Sequence, residues 1–97
     1  MKTLEEIKRI LKENEDLIAG EFKARIIGIF GSYARREQKE GSDVDILVSF
    51  SRDATLFDLA GLADFLEQKL GIKVDIVSER AVKPELRERI LEEVITI

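Results

Sequence analysis

Two features of this chain are spaced for phosphate chemistry: a Gly-Ser pair that closes one apolar run and an Asp-x-Asp that opens the next. Arg25-Ile26-Ile27-Gly28-Ile29-Phe30 is short, apolar and β-branched, which predicts a buried strand, and Gly31-Ser32 follows it directly. Glycine at that point permits a sharp turn and lets a ligand approach the backbone. Ser32 then starts a short helix, whose first N–H groups lack internal partners and sit at the positive end of its dipole. Such a turn binds phosphate, and the Ser32 hydroxyl adds one more donor.

After residues 33–42, Asp43-Val44-Asp45 opens the run Ile46-Leu47-Val48. Side chains alternate along a strand, so Asp43 and Asp45 are expected on one face, with Val44 and Ile46 on the other. Magnesium takes oxygen ligands in an octahedron and uses only one or two protein carboxylates, while water and substrate phosphates fill the remaining positions. The spacing suits that demand. A further acid, Asp75, is set in Lys73-Val74-Asp75-Ile76-Val77. If that strand lies beside the second, Asp75 faces Asp43 and Asp45 across the ladder, and three acids on one face repel unless a cation sits among them. Asp43, Asp45 and Asp75 are therefore the candidate catalytic and metal-binding residues. Gly31 and Ser32 are the candidate phosphate ligands, joined by Arg35, which sits one turn beyond Ser32.

Each piece read alone has a plainer meaning. Ser-Asp before a strand is equally a turn whose Asp caps the backbone, and Asp75 singly suits a solvent-facing strand position. Arg35, Arg36 and Lys39 each suit an ordinary solvated surface. The conjunction of glycine turn, paired acids and third acid is what points to nucleotidyl transfer.

The stretch Gly31-Ser32-Tyr33-Ala34-Arg35 through Ser42-Asp43-Val44-Asp45-Ile46-Leu47-Val48 resembles the signature of the minimal nucleotidyltransferases, a branch of the DNA polymerase beta-like superfamily. The likeness continues through Thr55-Leu56-Phe57-Asp58-Leu59, Val74-Asp75-Ile76-Val77 and Leu86-Arg87-Glu88-Arg89-Ile90, covering most of the chain. Arg36 departs from the pattern, which often has glycine after the Ala-Arg pair. The resemblance implies Mg²⁺-dependent transfer of a nucleoside monophosphate, AMP from ATP, to a hydroxyl acceptor, with two ions at the aspartates. It also implies a partner. Minimal nucleotidyltransferases are commonly encoded beside a small helical HEPN-type protein as a toxin–antitoxin pair, and some members adenylylate a tyrosine on that toxic ribonuclease. Two other readings stay open: a module that neutralises its partner by occlusion, and a transferase acting on a small molecule, with the acceptor site built between subunits of a homo-oligomer. The intact set of three aspartates favours catalysis.

Composition sets the frame around these residues. With 97 residues, 44% hydrophobic and 37% charged, the chain is expected to form a single domain, 1–97, around one small core. There is no cysteine and no histidine, so proton and metal chemistry must rest on carboxylates, hydroxyls and substrate. A net charge of -4 counts against stand-alone polynucleotide binding, and no apolar stretch approaches membrane-spanning length. A cytoplasmic location is the expectation.

The elements that must hold the site follow from periodicity. Thr3 and Glu6 predict a capping box for a helix carrying Leu4, Ile7, Ile10, Leu11, Leu17 and Ile18 to a stop at Gly20. A second helix is expected from near Asp53 or Thr55, with Leu56, Leu59, Ala63, Leu66 and Leu70 on its core face and Gly71 at its end. Pro84 suits the first turn of a last helix with Leu86, Ile90 and Leu91, and Val94-Ile95-Thr96-Ile97 suits a final strand. The expected fold is α+β: a small mixed sheet with helices packed on it.

Overall fold

The Thr3 hydroxyl accepts the Glu6 N–H at 3.2 Å and the Glu6 carboxylate accepts the Thr3 N–H at 3.1 Å. This reciprocal cap starts α1 (Leu4–Glu13) where the sequence predicts it. Residues 2–97 are described, in a computed structural model. The single first helix expected from the stripe is in fact two. Asn14 leaves helical geometry (φ -103, ψ 10) and its Nδ2 donates to the Ile10 carbonyl at 2.8 Å, which ends α1 and resets the phase for α2 (Glu15–Phe22). Ile18 therefore points into the core, whereas Leu17, expected beside it, is 43% exposed. Nor does Gly20 stop the helix. The chain runs on to Phe22, whose ring packs on Phe65 at 5.5 Å between centroids, and turns at Lys23 in the left-handed region (φ 55).

Four strands form one mixed sheet: β1 (Ala24–Phe30), β2 (Val44–Phe50), β3 (Val74–Ser78) and β4 (Ile95–Thr96), in the order β3-β2-β1-β4. β2 and β3 run parallel, joined by the long α4 (Leu56–Leu70), while β1 is antiparallel to both β2 and β4. Ile26 and Ile29 are both buried although they lie three positions apart. Strict alternation would place them on opposite faces, and the irregularity between Ile26 and Gly28 in the pairing with β2 resolves the conflict. Val44, Ile46 and Val48 share the core with Leu4, Ile7, Leu11, Ile18, Leu62 and Leu66 of α1, α2 and α4. Alternation puts Asp45 and Leu47 on the other face of the sheet.

Thr55 and Asp58 form the second capping box and Gly71, at φ 68, closes α4. Its core face is Leu62, Leu66 and Leu70. Leu56, expected on that face, is 82% exposed in the first turn. After β3 a 3₁₀ turn (Glu79–Ala81) leads to α5 (Pro84–Glu93), which has no fully buried residue. Val82, Ile90 and Leu91 lie over Leu47 on the second sheet face around a void of about 30 Å³. No helix among the described residues is long and apolar enough to cross a membrane.

The two leucines of α4 should part company on truncation. Leu66→Ala, at a completely buried position, is expected to cost about 2–5 kcal/mol in a denaturant titration, and Leu56→Ala, 82% exposed, roughly 0.5 kcal/mol or less.

Candidate active site

β1 delivers the chain to Gly31 at φ 75, a conformation that side-chain-bearing residues rarely adopt. A second reason for glycine lies across the turn. A Cβ built at position 31 would run into the Asp45 carboxylate, within 2.9 Å of its Cγ. The turn is thus packed against the acid of the neighbouring strand. α3 (Gly31–Ala34) follows at once and is a single turn, pinned by Tyr33, which is 2% exposed in the core. The Glu37 N–H returns to the Ser32 carbonyl at 2.9 Å, closing the loop behind the turn.

Arg36, the departure from the signature, occupies a left-handed position (φ 58), which is why glycine is at home there. Its guanidinium takes both carboxylate oxygens of Glu5, at 2.7 and 3.3 Å, and so ties the loop to α1. The cap of the turn before β2 is supplied by Ser42, whose Oγ accepts the Lys39 N–H at 2.9 Å. Asp43 is not needed for it and stays exposed just ahead of β2, which begins at Val44. From there its charge still bears on Asp45.

Asp45 sits on β2 between two register partners, Phe30 of β1 and Asp75 of the parallel β3. The predicted pairing of acids across the ladder is present between Asp45 and Asp75. Burial raises the Asp45 carboxyl first, then the charges of Asp75 and Asp43 and a hydrogen bond with Asp75, from 3.8 to about 6, with Arg35 pulling the other way. Among the described residues no group of three acidic, histidine or cysteine side chains is arranged to hold an ion unaided. A half-buried carboxylate pressed by two others nonetheless suits a cation that draws its remaining ligands from water and phosphate.

Arg35 reaches the same neighbourhood. Its Nε donates to Glu37 at 2.7 Å and its Nη1 to Glu93 at 2.7 Å, which holds the guanidinium above its ordinary pKa. The same Glu93 oxygen accepts the Gly31 N–H at 2.6 Å. Sequence reasoning missed Glu93, because a glutamate near the end of a charged helix carries no signal until the strand pairing is known. Beside Asp43 opens a cavity of about 780 Å³, walled by Tyr33, Ser42, Ile72 and Lys73. Its size falls in the range of small-ligand sites.

A glycine turn feeding a one-turn helix, an Asp-x-Asp entering the next strand, and an acid in register on its parallel neighbour define a nucleotidyltransferase. The chain belongs to the nucleotidyltransferase domain family, whose model matches residues 4–97, and within it to the minimal nucleotidyltransferases. It is 42% identical over 97 residues to the protein adenylyltransferase MntA of Thermococcus cleftensis, covering 100% of this chain and 98% of that one. A chain of Methanocaldococcus jannaschii with a provisional designation as protein adenylyltransferase is 43% identical over 98 residues and covered in full on both sides. A solved structure provisionally assigned as a minimal nucleotidyltransferase superposes with a TM-score of 0.84 at 43% identity, over 99% of this chain and 97% of that one. A toxin–antitoxin structure with AMP-PNP matches at TM-score 0.61 and 28% identity, over 88% of this chain and 64% of that one. The complex of a tri-AMPylated HEPN toxin of Shewanella oneidensis with its MNT antitoxin matches at TM-score 0.51 and 27% identity, over 84% and 57%.

The Asp45 shift carries a pH signature. A carboxyl raised from 3.8 to about 6 contributes stability that is complete below the lower value and is lost as pH rises through the upper one. Asp45→Asn removes that loss, so in metal-free buffer its gain in Tm over the parent should be larger at pH 7.5 than at pH 4.5. Equal gains at both would show that Asp45 titrates as an ordinary carboxylate.

Proposed function

We propose that this nucleotidyltransferase moves AMP from ATP to a hydroxyl of a HEPN-type partner protein in the cytoplasm and so acts as the antitoxin of a toxin–antitoxin pair. The observation that carries the reading is the placement of Asp45 in register with Asp75 and against the Gly31 turn. An acceptor on a partner protein is supported by the similarity to an adenylyltransferase named MntA and to a complex in which a HEPN toxin bears AMP groups. ATP as donor is supported by the similarity to a toxin–antitoxin structure that contains AMP-PNP.

Asp43, Asp45 and Asp75 are the residues that would hold two magnesium ions. When bound, such ions neutralise triphosphate charge and stabilise the entering and departing oxygens of an in-line displacement. The chain's own groups do the rest. The amides and hydroxyl of Gly31-Ser32, with Arg35, hold the distal phosphates and keep the α-phosphorus beside the acids. A tyrosine hydroxyl of the partner attacks that phosphorus, and Asp75, exposed on β3, takes its proton. The bond to the bridging oxygen breaks and pyrophosphate leaves with the electron pair.

Purifying the chain with its co-encoded helical partner, adding ATP and Mg²⁺, and weighing both proteins tests the proposal directly. One or more AMP units on the partner are expected. Asp45→Asn should slow the transfer by roughly 100-fold or more, and chelating the divalent ion should stop it. Full activity in Asp45→Asn would refute the metal assignment, while toxin neutralisation retained by Asp43→Asn without any mass gain would favour occlusion.

A further inference from the structure

Glu93 closes α5 and is followed immediately by Val94 and the short strand β4. β4 pairs antiparallel with β1 through Thr96 opposite Gly28 and Ile95 opposite Ile29. Continued by two residues, that register puts Glu93 opposite Gly31. The approach depends on Gly28, because a Cβ there would collide with the Ile95 carbonyl and lie 2.9 Å from Val94 Cγ2. The sheet therefore delivers the Glu93 carboxylate to the turn across a gap of 62 residues in sequence.

At the turn, one oxygen of Glu93 accepts two charge-assisted or backbone hydrogen bonds, from the Gly31 N–H at 2.6 Å and from Arg35 Nη1 at 2.7 Å. Both donors belong to the set assigned above to the triphosphate. An acceptor-only, negatively charged oxygen held between an amide and a guanidinium has the chemistry of a phosphate oxygen in that position. The two anions cannot share these donors, since like charges at hydrogen-bonding distance repel. Glu93 is also free to withdraw. No residue of α5 is fully buried, Leu86 and Leu91 on its surface are 46% and 50% exposed, and the carboxylate side chain itself is 27% exposed.

We propose that Glu93 is a residue of the nucleotide site, a resident anion that satisfies Arg35 and the Gly31 amide in the nucleotide-free chain and is displaced by the triphosphate. The inference rests on the phosphate assignment of the proposed function. Its consequence is selection by charge. A triphosphate brings enough anionic oxygens to replace what Glu93 gives up, whereas inorganic phosphate does not. Affinity for ATP is thus set below what the donors alone would provide.

Calorimetric titration of the full chain with ATP and Mg²⁺ tests this with two variants. Glu93→Gln keeps an acceptor for the Gly31 N–H and removes the competing charge, so ATP should bind roughly three- to tenfold tighter. Glu93→Asp keeps the charge and should stay near the parent. ATP binding by Glu93→Gln that is equal to or weaker than the parent's overturns the inference alone, because Glu93 would then merely position Arg35. Failure of parent and variant alike to bind ATP overturns it together with the phosphate assignment. Hydrogen exchange on the unaltered chain provides a reading that needs no variant. Inorganic tripolyphosphate with Mg²⁺ should speed exchange of the Val94 amide, now bonded to the Ile90 carbonyl at 2.9 Å, and slower or unchanged exchange there would contradict displacement.

Discussion

The contact between the backbone of Gly31 and the carboxylate of Asp45 sets the geometry on which the rest of the site depends. Two strands in an antiparallel pair lie at a fixed spacing, and Phe30 is the register partner of Asp45. The chain leaving β1 must therefore cross directly over an acid. A side chain at position 31 would force the turn and the Asp45 carboxylate apart. A glycine that tolerates φ 75 solves both problems at once, the direction of the turn and the closeness of the approach.

A turn so tight needs support from behind. Tyr33 anchors α3 in the core, Ser42 caps the far end of the loop, and the pair of Arg36 with Glu5 fastens the middle to α1. Arg36 tolerates a left-handed backbone that glycine would adopt without strain, and its bidentate ion pair offsets part of that cost. The loop between the two halves of the signature is thus tied to the scaffold at several points.

Much of this was legible in the residues because it is local. The strand-to-glycine turn, the Thr3–Glu6 capping box, the Pro84 start and the acids in β-branched runs each follow from a few neighbouring side chains. Even the meeting of Asp45 with Asp75 could be anticipated, since two short apolar strands joined by a long helix pair in parallel. What escaped depends on phase or on distant pairing. The hydrogen bond from Asn14 to Ile10 interrupts a stripe that looks continuous on paper, so Leu17 turns outward. Glu93 enters the site only because β4 folds back along β1, a pairing that two residues, Ile95 and Thr96, cannot announce in the sequence.

The sheet order has a mechanical consequence. β2 lies inside the sheet with a neighbour on each side, whereas β3 is an edge strand paired on one side alone. Asp45 on the inner strand is thus held from both sides, and Asp75 on the outer strand from one. Backbone breathing at a margin is cheaper than in an interior, so the spacing of the two acids is fixed more firmly from the side of Asp45 than from that of Asp75.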